Sequence, residues 1–160
     1  MADEIIKIVT DYGLKVPFKR PAHLATDKAN SYNVILHAIK HYESKGVNFD
    51  CVVLLQPTSP FRKLIHIKEA INMFNHSIDM VVAVKETKSN PYYLLHEENS
   101  NGYLVKSKEN GNIDRRQDTP KVYEINGAVY IINTLSLKKK QFIDKFFKNN
   151  KICNGRHVLC

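Results

Sequence analysis

The sequence predicts an α/β fold built on a mostly parallel sheet with crossover helices. Short apolar runs at residues 51–55, 80–84 and 128–132, rich in Val, Ile and Leu, read as buried strands. Apolar residues recur at helical spacing between them: Val34, Ile35, Ala38, Ile39 and Tyr42, then Ile67, Ala70, Ile71 and Phe74. Strands and helices alternating at this spacing join through crossovers that pack helices on a parallel-rich sheet.

In chain order, Ile5, Ile6 and Val9 form a short helical stripe, and Gly13 suits its C-terminal cap. Val16-Pro17-Phe18 reads as an edge strand, since proline lacks the amide a central strand needs. Residues 20–27 form a polar loop. Ser31 is placed to cap the next helix and Gly46 to end it. Tyr92–Leu95 and Tyr103–Val105 flank Asn101-Gly102, a turn signal, and predict a hairpin excursion. Residues 106–120 are polar and poor in core residues. Asn126-Gly127 precedes the third central strand, and Thr134 or Ser136 caps a last helix running to about Phe147.

The 160 residues, 43% hydrophobic and 25% charged, are enough for one domain with a core and too apolar for a disordered chain. No apolar stretch reaches the roughly 20 residues of a membrane span. Met1-Ala2-Asp3-Glu4 is acidic where a secretory signal is basic. A cytoplasmic location and no membrane partner are expected. The net charge of +8 comes from 19 lysines and only 5 arginines, with no basic-aromatic RNA-binding signature or helix-turn-helix pattern. No nucleic-acid partner is expected, although a basic field favours anionic ligands. Cys51 sits in an apolar strand, and Cys153 and Cys160 lack zinc spacing. His37 and His41 lie four apart on a helix without a third ligand, so they are read as structural.

Leu54-Leu55-Gln56-Pro57-Thr58-Ser59-Pro60-Phe61-Arg62 is the most informative stretch. Open α/β sheets place ligand sites at the carboxyl ends of their strands. Pro57 and Pro60 stiffen this loop and remove two amides, holding Gln56, Thr58, Ser59 and Arg62 in set directions. Gln56 can donate and accept at hydroxyl groups, or satisfy a loop carbonyl. Thr58 and Ser59 either contact a ligand or cap the next helix.

Four ordered blocks resemble the CMP-N-acylneuraminate synthetases, or acylneuraminate cytidylyltransferases. They are Arg20-Pro21-Ala22-His23-Leu24-Ala25-Thr26-Asp27, the Gln56 loop, Asn90-Pro91-Tyr92, and Arg115-Arg116-Gln117-Asp118-Thr119-Pro120 followed by Tyr123-Glu124-Ile125-Asn126-Gly127-Ala128-Val129-Tyr130. The resemblance implies a nucleotide-diphospho-sugar-transferase-like (Rossmann-like) fold with a β-hairpin dimerisation excursion. It implies a homodimer that joins CTP to an acidic nine-carbon sugar, with Mg²⁺ neutralising the phosphates and pyrophosphate released. Arg116 then meets the sugar carboxylate, a match of guanidinium and carboxylate geometry. Gln56 meets sugar hydroxyls, and Arg20 lies near the nucleotide, unless it only pairs with Asp27 at the surface. Asn126-Gly127 gives a close backbone approach beside the pocket or a simple tight turn. Tyr92 and Tyr93 read as core or interface aromatics.

Two family features have no counterpart here. The N-terminal strand and its nucleotide loop are missing, and so is the late acidic motif that holds Mg²⁺. The expectation is therefore a partial cytidylyltransferase domain over residues 1–151, truncated at both ends, with an atypical tail at 152–160. Back-translated one base out of frame, that tail can encode Tyr-Val-Met-Asp-Asp-Met-Tyr-Ser, which resembles the strand before the acidic motif; a frameshifted end is expected. Impaired catalysis follows. The alternative is a non-catalytic remnant that binds an acidic sugar or dimerises with an intact partner. A basic nucleic-acid-binding domain is a more distant third reading. Which nine-carbon sugar is used is not legible from these residues.

Overall fold

The structure, a computed structural model, describes residues 2–26, 29–108, 113, 115–140 and 149–153. The chain divides into two units, Met1–Val52 with Thr134–Phe146, and Val53–Asn133 with Phe147–Cys160.

The first unit holds α1 (Ala2–Asp11), α2 (Ser31–Glu43) and α4 (Thr134–Lys140). α1 ends as its glycine requires: Gly13 sits at φ +81°, and the Leu14 amide reaches back to the Val9 carbonyl at 3.1 Å. The α2 cap is Asn30, one residue before the expected Ser31, because the Asn30 side chain accepts from the Asn33 amide at 2.9 Å. Gly46, at φ +77°, ends this helix as expected. Ile35 and Ile39 of α2 and Leu137 of α4 are buried, and Lys138 pairs with Glu43 across the two helices.

Residues 16–18 form no strand. What holds them is a ring contact: Phe18 lies 4.3 Å from His41, 5.3 Å from His37 and edge-on to Tyr42. His41 Nε2 and His37 Nδ1 are enclosed without hydrogen-bond partners among the described residues. Loss of water holds His41 below its ordinary value of 6.5, with Lys45 and His37 adding like charge.

The second unit is built on a four-stranded sheet of order β1-β5-β2-β6, where β1 is Cys51–Leu54, β2 is Met80–Glu86, β5 is Tyr123–Asn133 and β6 is Asn149–Cys153. The first five residues of β2 are buried, as are residues 127–129 and 131–133 of β5. α3 (Leu64–Met73) packs on β2 and β5 with Ala70 fully enclosed. The sheet is mixed rather than mostly parallel: β2 runs parallel to β6 but antiparallel to β5. The reason is topological. The chain leaves β2 at Glu86 and re-enters β5 at Tyr123, its direct partner, so the return needs no crossover helix.

That return contains a hairpin of β3 (His96–Glu98) and β4 (Leu104–Lys106), turning at Gly102 with φ +79°. Residues 92–95 are a turn instead of a strand, because the Asn90 carbonyl collects the amides of Tyr93, Leu94 and Leu95. Asn90 also closes the excursion at its base. Its side chain donates to the Pro120 carbonyl and accepts from the Tyr92 amide, both at 2.9 Å.

β6 pairs with β2 from Met80↔Asn149 to Val84↔Cys153, so it crosses the expected boundary after Lys151. Residues 154–160, Asp27 and Phe147 lie outside the described residues, and the expectations placed on them rest on sequence alone.

Two outcomes follow. Asn90→Ala removes both bonds of the buried Asn90 side chain and should cost about 1–2 kcal/mol in urea unfolding, with no change in the denaturant slope. His41 binds protons more readily when unfolded, so the stability of its unit should fall as pH drops through 6.5. His41→Gln should flatten that dependence in denaturation curves compared at about pH 5 and about pH 8.

Candidate functional site

β1 delivers the chain to Gln56, and the two prolines leave the loop few ways to fold. The Ser59 amide closes it by donating to the Gln56 carbonyl at 3.2 Å. The Ser59 hydroxyl donates to the Asn126 carbonyl at 3.4 Å, so this buried serine serves the site; the residue at the start of α3 is Lys63, whose amide donates to His66 Nδ1 at 3.4 Å. Arg62 ties both sides together. Its Nε donates to the Ala128 carbonyl at 3.0 Å, and its Nη2 donates to the Gln56 carbonyl.

On the facing strand the β2–β5 register slips between Val82 and Val84. Opposite the single residue Ala83, β5 runs through four residues, 126–129. Such a bulge lifts backbone out of the ladder and re-aims side chains. Gly127 makes it possible, with φ +72° and a β-carbon position only 2.5 Å from Gln56 Oε1. Asn126 Oδ1 accepts from the Ala128 amide at 3.1 Å, which fixes which end of its amide is oxygen. Asn126 Nδ2 is left enclosed, with no partner among the described residues. The Tyr130 hydroxyl lies 3.9 Å from the same β-carbon position, and burial holds its phenol above the ordinary value of 10.

Gln56, Ser59, Asn126 and Gly127 are thus brought together. Thr58 is exposed. Arg116 opens a short 3₁₀ turn, Arg116–Asp118, whose first carbonyl accepts from the Thr119 hydroxyl at 2.7 Å; its side chain is exposed and no contact joins it to the Gln56 cluster among the described residues. Arg20 is exposed in the other unit, where the neighbouring Lys19 pairs with Asp3 at 2.7 Å. Tyr92 and Tyr93 are half-buried, with the Lys108 ammonium 5.4 Å over the Tyr92 ring. Sequence reasoning named Arg62 as a loop side chain held in a set direction without giving it a contact, and gave Tyr130 no role. An arginine directly after a proline-stiffened loop is the signal that pointed to the first. Among the described residues, no three His, Cys, Asp or Glu side chains converge to hold a metal ion.

The cluster defines a polar surface at a strand end of an α/β protein, free of carboxylates among the residues named and tied by the Arg62 guanidinium. No family model matches the chain. Curated relatives do. The chain is 38% identical over 133 residues to the post-translational flagellin modification protein B of Campylobacter coli, covering 81% of this chain and 55% of that protein. It is 31% identical over 128 residues to the CMP-N,N'-diacetyllegionaminic acid synthase of Legionella pneumophila, 80% and 55% of the two chains. It is 35% identical over 140 residues to the N-acylneuraminate cytidylyltransferase of Streptococcus agalactiae, 85% and 32% of the two. Over the part it spans, the chain belongs to the acylneuraminate cytidylyltransferase family. It spans about half the length of the first two relatives.

Gly127→Ala tests the cluster directly. The left-handed backbone costs about 1–2 kcal/mol, while the clash falls on the free end of the Gln56 side chain, which swings aside. A small drop in melting temperature should accompany a large displacement of the Gln56 side-chain amide resonance.

Proposed function

We propose that this chain supplies the sugar-recognising part of a cytidylyltransferase that joins CTP to an acidic nine-carbon sugar and releases pyrophosphate. The observation that supports it is the convergence of the Gln56 amide, the unpartnered Asn126 Nδ2 and the close Gly127 backbone at the end of β1. Such a donor-rich, carboxylate-free set suits a hydroxylated, acyl-bearing anion. In this reading the Arg116 guanidinium takes the sugar carboxylate. Thr58 meets the sugar from the loop, and Arg20 lies by the nucleotide phosphates. The anomeric hydroxyl attacks the α-phosphorus in line. Magnesium, when bound in such a reaction, neutralises phosphate charge. The described residues offer no group of three His, Cys, Asp or Glu to hold it.

Association of two copies belongs to the same reading. Leu94, Leu95, Tyr103, Leu104 and Val105 are exposed around the hairpin, an apolar surface that a second copy can cover. No helix among the described residues is long and apolar enough to cross a membrane. A cytoplasmic reaction, supplied with CTP, belongs to the same reading.

A second reading is a sugar-binding or dimerising role without turnover, which the exposed apolar side chains around the hairpin favour. Calorimetry with N-acetylneuraminate and a CMP-sugar assay with CTP, the sugar and Mg²⁺ separate the two. The expected result is sugar binding that Gln56→Ala weakens at least about tenfold. Binding without product leaves the chain the recognition role alone. Absence of binding by the folded chain overturns both as sugar-site readings.

A further inference from the structure

The guanidinium of Arg62 is spent in an unusual way. Arginine has five donors and no acceptor, and a half-buried one ordinarily finds a carboxylate. Among the described residues none pairs with Arg62. Its identified bonds go to two backbone carbonyls from distant parts of the chain, Gln56 and Ala128. Gln56 is the first residue of the proline loop, and Ala128 is a fully enclosed residue of β5 in the register slip. The Gln56 carbonyl also accepts from the Ser59 amide, so its two lone pairs are both used. Its side-chain oxygen meanwhile faces the Gly127 β-carbon position.

From this we infer that Arg62 is a positioning residue for Gln56. It laces the loop to the rigid strand, so that the Gln56 amide is held against Asn126-Gly127 before any ligand arrives. Two bonds from one planar group fix direction as well as distance, which a lysine ammonium cannot reproduce. A pre-set amide loses little rotamer freedom on binding, and that is how the clamp raises affinity without touching the ligand. The inference rests on the sugar-binding reading for its functional consequence, but the clamp is measurable in the free chain.

The experiment is nuclear magnetic resonance on the full chain, with the Gln56 side-chain amide assigned by its loss in Gln56→Ala. In the unmodified chain, the Gln56 amide should show a nuclear Overhauser contact to Gly127 Hα, and the Arg62 Nε–H should exchange slowly beside Ala128. Arg62→Lys should erase the Gln56–Gly127 contact while β2–β5 amide protection is kept, and should weaken N-acetylneuraminate binding at least about tenfold. Methylguanidinium added to Arg62→Ala should restore the contact in part. A contact that survives in Arg62→Lys overturns the inference. So does a fast-exchanging Nε–H in the unmodified chain, a measurement that needs no variant to fold. If the contacts behave as stated but the sugar does not bind, the clamp stands and the sugar reading falls.

Discussion

At Ala83 the β2–β5 ladder slips, with four residues of β5 passing one of β2, and the recognition cluster depends on this slip. A regular strand commits its amides and carbonyls to its neighbours and alternates its side chains evenly. Extra residues break that commitment locally. The Ala128 amide goes to the Asn126 side chain, the Asn126 carbonyl to Ser59, and the Ala128 carbonyl to Arg62. These backbone groups become the sockets into which the proline loop plugs. Glycine at 127 is what lets the chain turn there with a left-handed φ and still leave room for Gln56.

A bulge alone would be soft. It is stiffened because β2 and β5 on either side are buried, with Val81, Val129, Ile131 and Ile132 fully enclosed. Dense apolar packing resists displacement, so the sockets keep their spacing. The loop brings its own stiffness through Pro57 and Pro60, and the excursion after β2 is pinned at its base by Asn90. Rigid strand, rigid loop and few bridging bonds give a site that is organised before binding.

Much of this was legible in the residues. The continuous apolar runs marked β2 and the buried half of β5, Gly13 and Gly46 marked helix ends, and Asn101-Gly102 marked the hairpin turn. Gln56, Ser59, Asn126 and Gly127 were named in one set with Arg20, Thr58 and Arg116, and contacts join only the first four among the described residues. What composition and spacing could not carry was direction. An apolar run reads the same in either orientation, so the antiparallel β2–β5 pair looked parallel. The bulge was invisible because Tyr123-Glu124-Ile125-Asn126 alternates apolar and polar just as a regular strand does. Residues 16–18 looked like a strand because Phe18 is apolar, yet its ring packs on histidines. Asn30 rather than Ser31 caps α2, accepting from the Asn33 amide; the two residue types cap about equally well, so composition could not choose between them.

Charge separates two levels of selectivity. The +8 of the whole chain reflects its 19 lysines, exposed wherever their burial is described, and salt screens such a field over about 8–10 Å. It can gather anions but cannot choose among them. The guanidinium of Arg62 differs, being half-buried and without a carboxylate among the described residues, so its field is screened less where the Gln56 and Asn126 amides converge. An anion drawn by the general field is therefore sorted by a few fixed donors. In the proposed function, a ligand with hydroxyl and acyl oxygens spaced along a sugar ring satisfies these donors together. Since a buried donor left empty costs about 1–3 kcal/mol, the fixed geometry of the donors, more than the sum of the charges, decides which anion is held.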